Sequence, residues 1–188
     1  STNTRGNATF LIDGTGTQTI TGSGVSGAGN LPNVTINKSS GTLNLASIIS
    51  TYADNWTYTA GTMSPGTSKV VFYYGYTTNQ LNINGNFTLA NTEFNPAAGG
   101  MNYIITNTLT CTGTVTMVGT NAIVLRTGTL EVMGDVTITN TSTNTRGNAT
   151  FLIDGTGTQT ITGSGVSGAG NLPNVTINKS SGTLNLAS

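Results

Sequence analysis

The feature that most constrains this chain is an internal repeat. Residues 142–188 reproduce residues 1–47 without a single difference, at an offset of 141 positions. The chain therefore comprises one full period, residues 1–141, and the start of the next identical period, residues 142–188. In repeat proteins each unit buries its apolar side chains against its neighbours, and repetition adds length or multiple display. The repeat thus favours a structural protein over an enzyme.

Composition favours strands and turns. The 188 residues include 39 Thr, 26 Gly and 23 Asn, but only six acidic side chains, six basic side chains and no His. Thr fits a pleated surface through its branched Cβ, and Gly and Asn supply positive-φ turns. Disordered chains are usually rich in charge and Pro, so we expect an ordered all-β protein.

Two segments show the strand pattern most clearly. LNINGNFTLAN at 81–91 and LEVMGDVTITN at 130–140 both carry an apolar residue at every second position around a central glycine. This alternation is typical of half-buried strands. The positions that we take as equivalent are 22, 31, 22, 27 and 39 residues apart: Val34, Trp56, Phe87, Leu109, Val136 and Val175.

These spacings predict a parallel β-solenoid whose coils contain about 20–25 residues, with two or three short strands in each coil. Six or seven such coils would fill one period of 141 residues. The alternative is a string of tandem β-sandwich domains, which also consist of short alternating strands.

Charge limits the partners that we expect. The net charge is zero, so nothing supports binding to nucleic acid or to an anionic membrane face, which require clustered Lys or Arg. No apolar run approaches the ~20 residues of a membrane span, so we expect no membrane insertion. A near-neutral surface permits self-association. The partners expected are therefore further copies of the chain, end to end or laterally, and glycans.

Several runs resemble a known class of proteins. GTGTQTITGSG at 14–24, LPNVTINKSSGTLNL at 31–45 and NWTYTAGTMSPGTSKVVFYYG at 55–75 are similar to the strand repeats of large bacterial secreted and surface-anchored proteins of filamentous-haemagglutinin or adhesin-like type. The resemblance implies a parallel β-solenoid, an extracellular or cell-surface location and no cofactor. Identical periods shift the expectation towards an extended fibre or sheath component.

The segment KVVFYYGY at 69–76 is the most suggestive candidate surface. Apolar residues occur at both strand parities, so both faces of this strand need a cover. Three covers are possible: a neighbouring molecule, a glycan, or an intrachain loop such as 91–101. The residues predicted to form a lateral interface or a glycan contact are Val71, Tyr73, Tyr74, Tyr76, Trp56 and Tyr58.

No residue is predicted to be catalytic, to bind a cofactor or to bind a metal. GSGVSG at 22–27 matches the letters of a dinucleotide fingerprint, but the residues after it are predicted to form a turn and a strand instead of the required helix. The few carboxylates are not paired as a hydrolase of β-helix type requires. Cys111 is the single cysteine, so neither a CxxC metal site nor a disulfide within one unit can form.

The sequence therefore predicts a non-enzymatic extracellular rod that builds a filament, sheath or surface stalk. The alternative is an adhesin-type binding module that contacts glycans or a host surface through the aromatic strand or the loops.

Overall fold

Short apolar–polar alternations separated by Gly, Asn and Ser become short strands, and a parallel β-solenoid of about eight turns results. The predicted fold class is thus confirmed. A computed structural model describes residues 6–75 and 77–188. All strand pairs within these residues are parallel, which is the solenoid arrangement and not that of tandem β-sandwiches.

The strands are β1 (Thr9–Ile12), β2 (Gln18–Thr21), β3 (Asn33–Ala46), β4 (Ile48–Tyr52), β5 (Asn55–Ser64), β6 (Lys69–Tyr74), β7 (Gln80–Asn84), β8 (Phe87–Leu89), β9 (Asn91–Phe94), β10 (Met101–Ile105), β11 (Thr108–Cys111), β12 (Val115–Met117), β13 (Ile123–Arg126), β14 (Thr129–Val132), β15 (Val136–Ile138), β16 (Arg146–Gly147), β17 (Thr150–Ile153), β18 (Gln159–Thr162), β19 (Asn174–Ile177) and β20 (Leu184–Ala187).

These strands stack into three parallel sheets, which we call the first, second and third faces. The first face contains β1, β3, β5, β7, β10, β13 and β16, with β2 paired to β3. The second face contains β8, β11, β14, β17 and β19, and the third contains β4, β6, β9, β12, β15, β18 and β20. One turn visits the faces in that order, as β7, β8 and β9 do. The long strands β3 and β5 change register between Ile36 and Thr42. Their second halves occupy the approach to the second face, where Met63 of β5 lies near Phe87 of β8.

Inward side chains form one continuous apolar core. Leu81, Tyr103 and Leu125 are in register on successive turns, 22 positions apart, and are fully buried. Phe94 stacks on Phe72 with 5.7 Å between ring centroids and meets the Tyr103 ring at 4.9 Å. The Tyr103 hydroxyl donates a hydrogen bond to the Phe72 carbonyl at 3.0 Å, and burial raises the pKa of this phenol well above its usual value. Each such side chain contributes about 1.5–3 kcal/mol through burial.

Glycine and asparagine fix the corners between faces. A Cβ on Gly134 would lie 2.2 Å from the Gly113 carbonyl oxygen, and one on Gly113 would lie 2.8 Å from the Ala90 carbonyl oxygen. Stacked coils therefore approach too closely at this corner for any larger residue. At another corner, Asn140 Nδ2 donates to the Val118 carbonyl of the preceding coil at 3.0 Å. These bonds hold successive turns in a fixed register.

The two identical copies lie on different faces, as residues 6–47 of the first copy and the matching residues 147–188 of the second show. TFLI forms β1 on the first face, but forms β17 on the second face between β14 and β19. QTIT forms β2 beside the second half of β3, but forms β18 on the third face between β15 and β20. The seven strands of the first face from β1 to β16 span six turns, and β17 follows on the next face. The second copy is therefore rotated by one face relative to the first.

The same local motif can form either corner, which explains this rotation. Residues 81–91 turn from the first to the second face around Gly85, whereas residues 130–140 turn from the second to the third face around Gly134. The alternation and the glycine thus specify two strands and a corner, but not which corner.

The predicted equivalent positions are corrected accordingly. Val34 pairs with Trp56, and Phe87 pairs with Leu109, as predicted. Trp56, however, lies on the first face and Phe87 on the second, so these two positions are not equivalent. Val136 likewise lies on the third face, one face beyond Leu109.

Candidate interaction surface

Strand β6 carries the sequence KVVFYY and lies on the third face between β4 and β9. Its inward residues Val70 and Phe72 are fully buried in the core. The outward Val71 is also fully buried, although it points away from the core. An outward apolar side chain with no exposed surface must be covered from outside the solenoid.

The cover is the glycine-rich loop between β2 and β3, residues 22–31, which we call the glycine strap. Ser50 of β4 and Glu93 of β9 flank the outward valine of β6 in register. The backbone N–H of Gly27 donates to Ser50 Oγ at 2.8 Å, and Ser26 Oγ donates to Glu93 Oε2 at 3.3 Å. The strap is thus anchored on both sides of the valine that it covers.

Glycine is required where the strap crosses β6. Gly27 has a φ of 76°, and a Cβ at this position would lie 2.9 Å from the Tyr73 ring. The alternative that residues 91–101 provide the intrachain cover is wrong, because residues 91–94 form strand β9 of the third face itself. The glycine-rich segment at 22–27 is therefore part of the packed structure.

One ion pair lies beneath the strap. Lys69 Nζ contacts Glu93 Oε2 at 2.5 Å, and Asn95 Nδ2 donates to Glu93 Oε1 at 2.9 Å. Glu93 is almost completely buried, and protein groups bind both of its carboxylate oxygens. A buried carboxylate with this many partners holds the strap and the sheet together.

Three tyrosine rings form a cluster beside the strap. The Tyr52 ring lies 5.2 Å from the Tyr74 ring and 6.4 Å from the Tyr73 ring, measured between centroids. All three side chains are partly exposed, and the Tyr74 hydroxyl donates to Asn79 Oδ1 at 2.8 Å. Aromatic rings with one polar end and some exposed surface are typical of contact sites. We call Tyr52, Tyr73 and Tyr74 the tyrosine cluster.

Of the predicted contact residues, only Tyr73 and Tyr74 belong to the tyrosine cluster. Trp56 and Val71 have no exposed surface, so the prediction that they contact a partner is corrected. Trp56 instead packs edge-on against Phe72, with ring centroids 6.0 Å apart. Tyr58 is partly exposed but lies away from the tyrosine cluster, where its ring contacts the Phe87 ring at 5.9 Å. Tyr76 lies outside the described residues.

Two carboxylates, Glu131 of β14 and Asp154 directly after β17, lie close together. Glu131 pairs with Leu152 in the ladder, which brings its carboxylate close to Asp154. Burial raises the pKa of Asp154, and the neighbouring Glu131 carboxylate raises it further. Thr110 Oγ1 donates to Glu131 Oε2 at 2.5 Å. Within residues 6–75 and 77–188, no three His, Cys, Asp or Glu side chains form a group that could hold a metal ion.

The single thiol lies in the core of the second face. Cys111 is fully buried, and its Sγ donates to the Ala90 carbonyl at 3.2 Å. Burial raises the pKa of this thiol above its usual value, so the reactive thiolate is disfavoured.

These observations define a class by fold: the chain is a parallel β-solenoid with a strapped third face and a surface tyrosine cluster. Comparison of the chain with protein-family models, with curated proteins and with solved structures found no significant match. In the described part of the chain, no helix is long and apolar enough to cross a bilayer.

Proposed function

We propose that this chain is a non-enzymatic structural rod that builds an extracellular or cell-surface filament, sheath or stalk. The observation that carries the proposal is the ladder of parallel strands in which an identical sequence packs at two levels. A coil that can stack on different neighbours suits a rod that gains length by repetition.

Side-chain ladders along the axis support a mechanical role. Asn82 Nδ2 donates to Asn55 Oδ1 of the preceding coil at 3.1 Å. On the next outward position, Asn84 Nδ2 donates to Thr57 Oγ1 at 3.2 Å, and Thr106 Oγ1 donates to Asn84 Oδ1 at 2.7 Å. These bonds add to the backbone ladder and resist sliding of one coil past the next.

The proposal is tested by electron microscopy of the purified chain over a range of concentrations without any ligand. We expect fibres that lengthen with concentration, with a meridional reflection near 4.8 Å from strands stacked along the axis. Dispersed particles at every concentration would contradict assembly into filaments.

The tyrosine cluster supports a second candidate, an adhesin-type contact with glycans. Its rings are close together and partly exposed, as a stacking platform for sugar rings requires. The test is a glycan array with the wild-type chain, with Tyr74→Ala and with the control Tyr58→Ala, which lies outside the cluster. This function requires glycan binding that Tyr74→Ala abolishes and Tyr58→Ala leaves intact. Absence of binding by the wild-type chain would exclude it.

A further inference from the structure

The sequence that forms β1 and β2 occurs twice, and its apolar side chains are buried to different extents in the two copies. In the second copy, Phe151 lies between β14 and β19 and has 0% exposure. The same residue in the first copy, Phe10, is 48% exposed, because among the described residues β1 has a strand neighbour on one side only, β3. Phe10 and Leu11 line an open groove of about 310 Å³ together with Ile20. Phe10 therefore occupies a position that packs fully when another coil lies against it.

The opposite end of the rod shows the same contrast. Ile177 of β19 is 60% exposed and Leu186 of β20 is 78% exposed. Their counterparts in the first copy, Ile36 and Leu45, are 0% and 4% exposed. Both belong to β3, which has β5 as a further neighbour. Each end of the described solenoid thus presents an apolar sheet edge that the same sequence buries elsewhere in the chain.

The two ends match only after a rotation. At the β1 end, strands occupy the first face and the approach to the second, while the glycine strap lies along β4 of the third face, where Leu31 N–H donates to the Ser50 carbonyl at 2.8 Å. At the β20 end, strands occupy the second and third faces. The strap of the second copy, residues 163–172, lies beside the segment that leads to β16 of the first face, where Gly170 N–H donates to the Ser142 carbonyl at 3.1 Å.

Without rotation, β1 of an added copy would meet this second strap, and only β2 would meet a strand. With a rotation by one face, β1 meets β19, β2 meets β20, and strap meets strap. Only the rotated arrangement pairs both strand edges, and unpaired backbone groups at a buried edge are costly.

We propose that a second copy of this chain docks its β1–β2 edge on the β19–β20 edge of the first copy, rotated by one face. This proposal rests on the proposed rod function and specifies its joint. The edge of TFLI that is free in β1 is paired in parallel in β17, where Phe151 lies opposite Leu130 of β14. The edge of NVTI that is free in β19 is paired in parallel in β3, where Val34 lies opposite Trp56 of β5. The same alternation of inward and outward residues places Phe10 opposite Val175, Leu11 opposite Thr176 and Ile12 opposite Ile177. Inward residues therefore meet inward residues, and the net charge of zero gives no repulsion between copies.

Chemical crosslinking between variants that each carry one added cysteine tests the joint. Leu11→Cys, Thr19→Cys and Thr176→Cys each place a thiol on an exposed, outward position of β1, β2 and β19. A mixture of Thr176→Cys with Leu11→Cys should give an intermolecular crosslink with a short bismaleimide, identified by mass spectrometry of the linked peptides. The mixture with Thr19→Cys should lack it, because β2 meets β19 only in the unrotated arrangement. The wild-type chain, whose cysteine is buried, reports the background.

Sedimentation of the same samples separates this proposal from the function on which it rests. Fibres with equal crosslinking in both mixtures, with the Thr19→Cys link alone, or with neither link would overturn the rotated joint but leave the rod function standing. A chain that stays monomeric at every concentration would overturn both.

Ile177→Lys provides an independent check. Ile177 is exposed in the single chain, so the substitution should leave the circular dichroism spectrum unchanged while sedimentation shifts to the monomer. Assembly that persists in a folded Ile177→Lys chain would also contradict the joint.

Discussion

Substituting the two copies of one phenylalanine measures the different surroundings of two identical segments. Phe10→Ala and Phe151→Ala remove the same side chain from the same local sequence, TFLI. Phe151 has 0% exposure between β14 and β19, whereas Phe10 is 48% exposed beside β3. Any difference between the two variants therefore arises from packing, because local propensities are equal.

The burial of each side chain sets the expected magnitudes. Truncating a fully buried phenylalanine costs about 3–5 kcal/mol, which includes the cavity that remains. Phe10 buries about half of its surface and borders an open groove, so its truncation leaves no closed cavity and should cost about 1–2 kcal/mol. The difference of about 2 kcal/mol corresponds to about 4–8 °C in Tm for a chain of this size.

Thermal and urea unfolding, followed by far-UV circular dichroism, measure this difference. Fluorescence of Trp56, the single tryptophan, provides a second probe. Concentrations should be low enough to keep the chain monomeric, because docking of a second copy would also bury Phe10. Equal destabilisation by the two substitutions would refute the conclusion that the copies have different neighbours.

Three further predictions concern the corners and the core. Asp154→Asn should stabilise the chain at pH 7 by roughly 0.5 kcal/mol, while Asp13→Asn, the same position in the first copy and without β14 beside it, should not. Because the pKa of Asp154 is raised in the folded chain, the stability of the wild-type chain falls as pH rises from about 3.9, the pKa of an unfolded aspartate, through the pKa in the folded chain. The stability that Asp154→Asn gains over the wild type in urea unfolding should therefore vanish below that range. Gly134→Ala should cost about 2 kcal/mol because its Cβ meets a carbonyl oxygen, whereas Gly157→Ala, with no atom within 4 Å, should change the unfolding free energy by less than about 0.5 kcal/mol. The buried Cys111 thiol should react with a maleimide only as fast as the chain unfolds, and rapid labelling in native buffer would contradict the burial that raises its pKa.

The fold could be predicted because its determinants are local. Alternation at every second residue identifies strands, and the spacing of paired positions such as Val34 and Trp56 matches one coil. The assignment of strands to faces could not be predicted in the same way. Val136 follows a glycine corner that looks like the one before Phe87, yet the two residues lie on different faces. A corner motif contains no information on how many corners precede it.

The candidate surface was predicted only in part, because its cover comes from far away in sequence. The alternation in β6 correctly indicated an outward apolar residue, Val71, that needs a cover. The strap that covers it is anchored by Ser26 on Glu93, a separation of 67 positions. The available signal was the spacing from Thr9 to Asn33, which are in register 24 positions apart with only one short strand between β1 and β3. The residues between β2 and β3 that form no strand are numerous enough to cross the third face.

The rotation of the second copy by one face has a consequence for the shape of a longer rod. A bulky or weakly packed segment that recurred on the same side in every period would make that side longer or softer, and the rod would curve or bend preferentially in one direction. With 141 residues making six and one third turns, each such segment moves to the next side in the following period. Over three periods the irregularities average around the axis, so a rod of several periods should be straight and equally stiff in all directions.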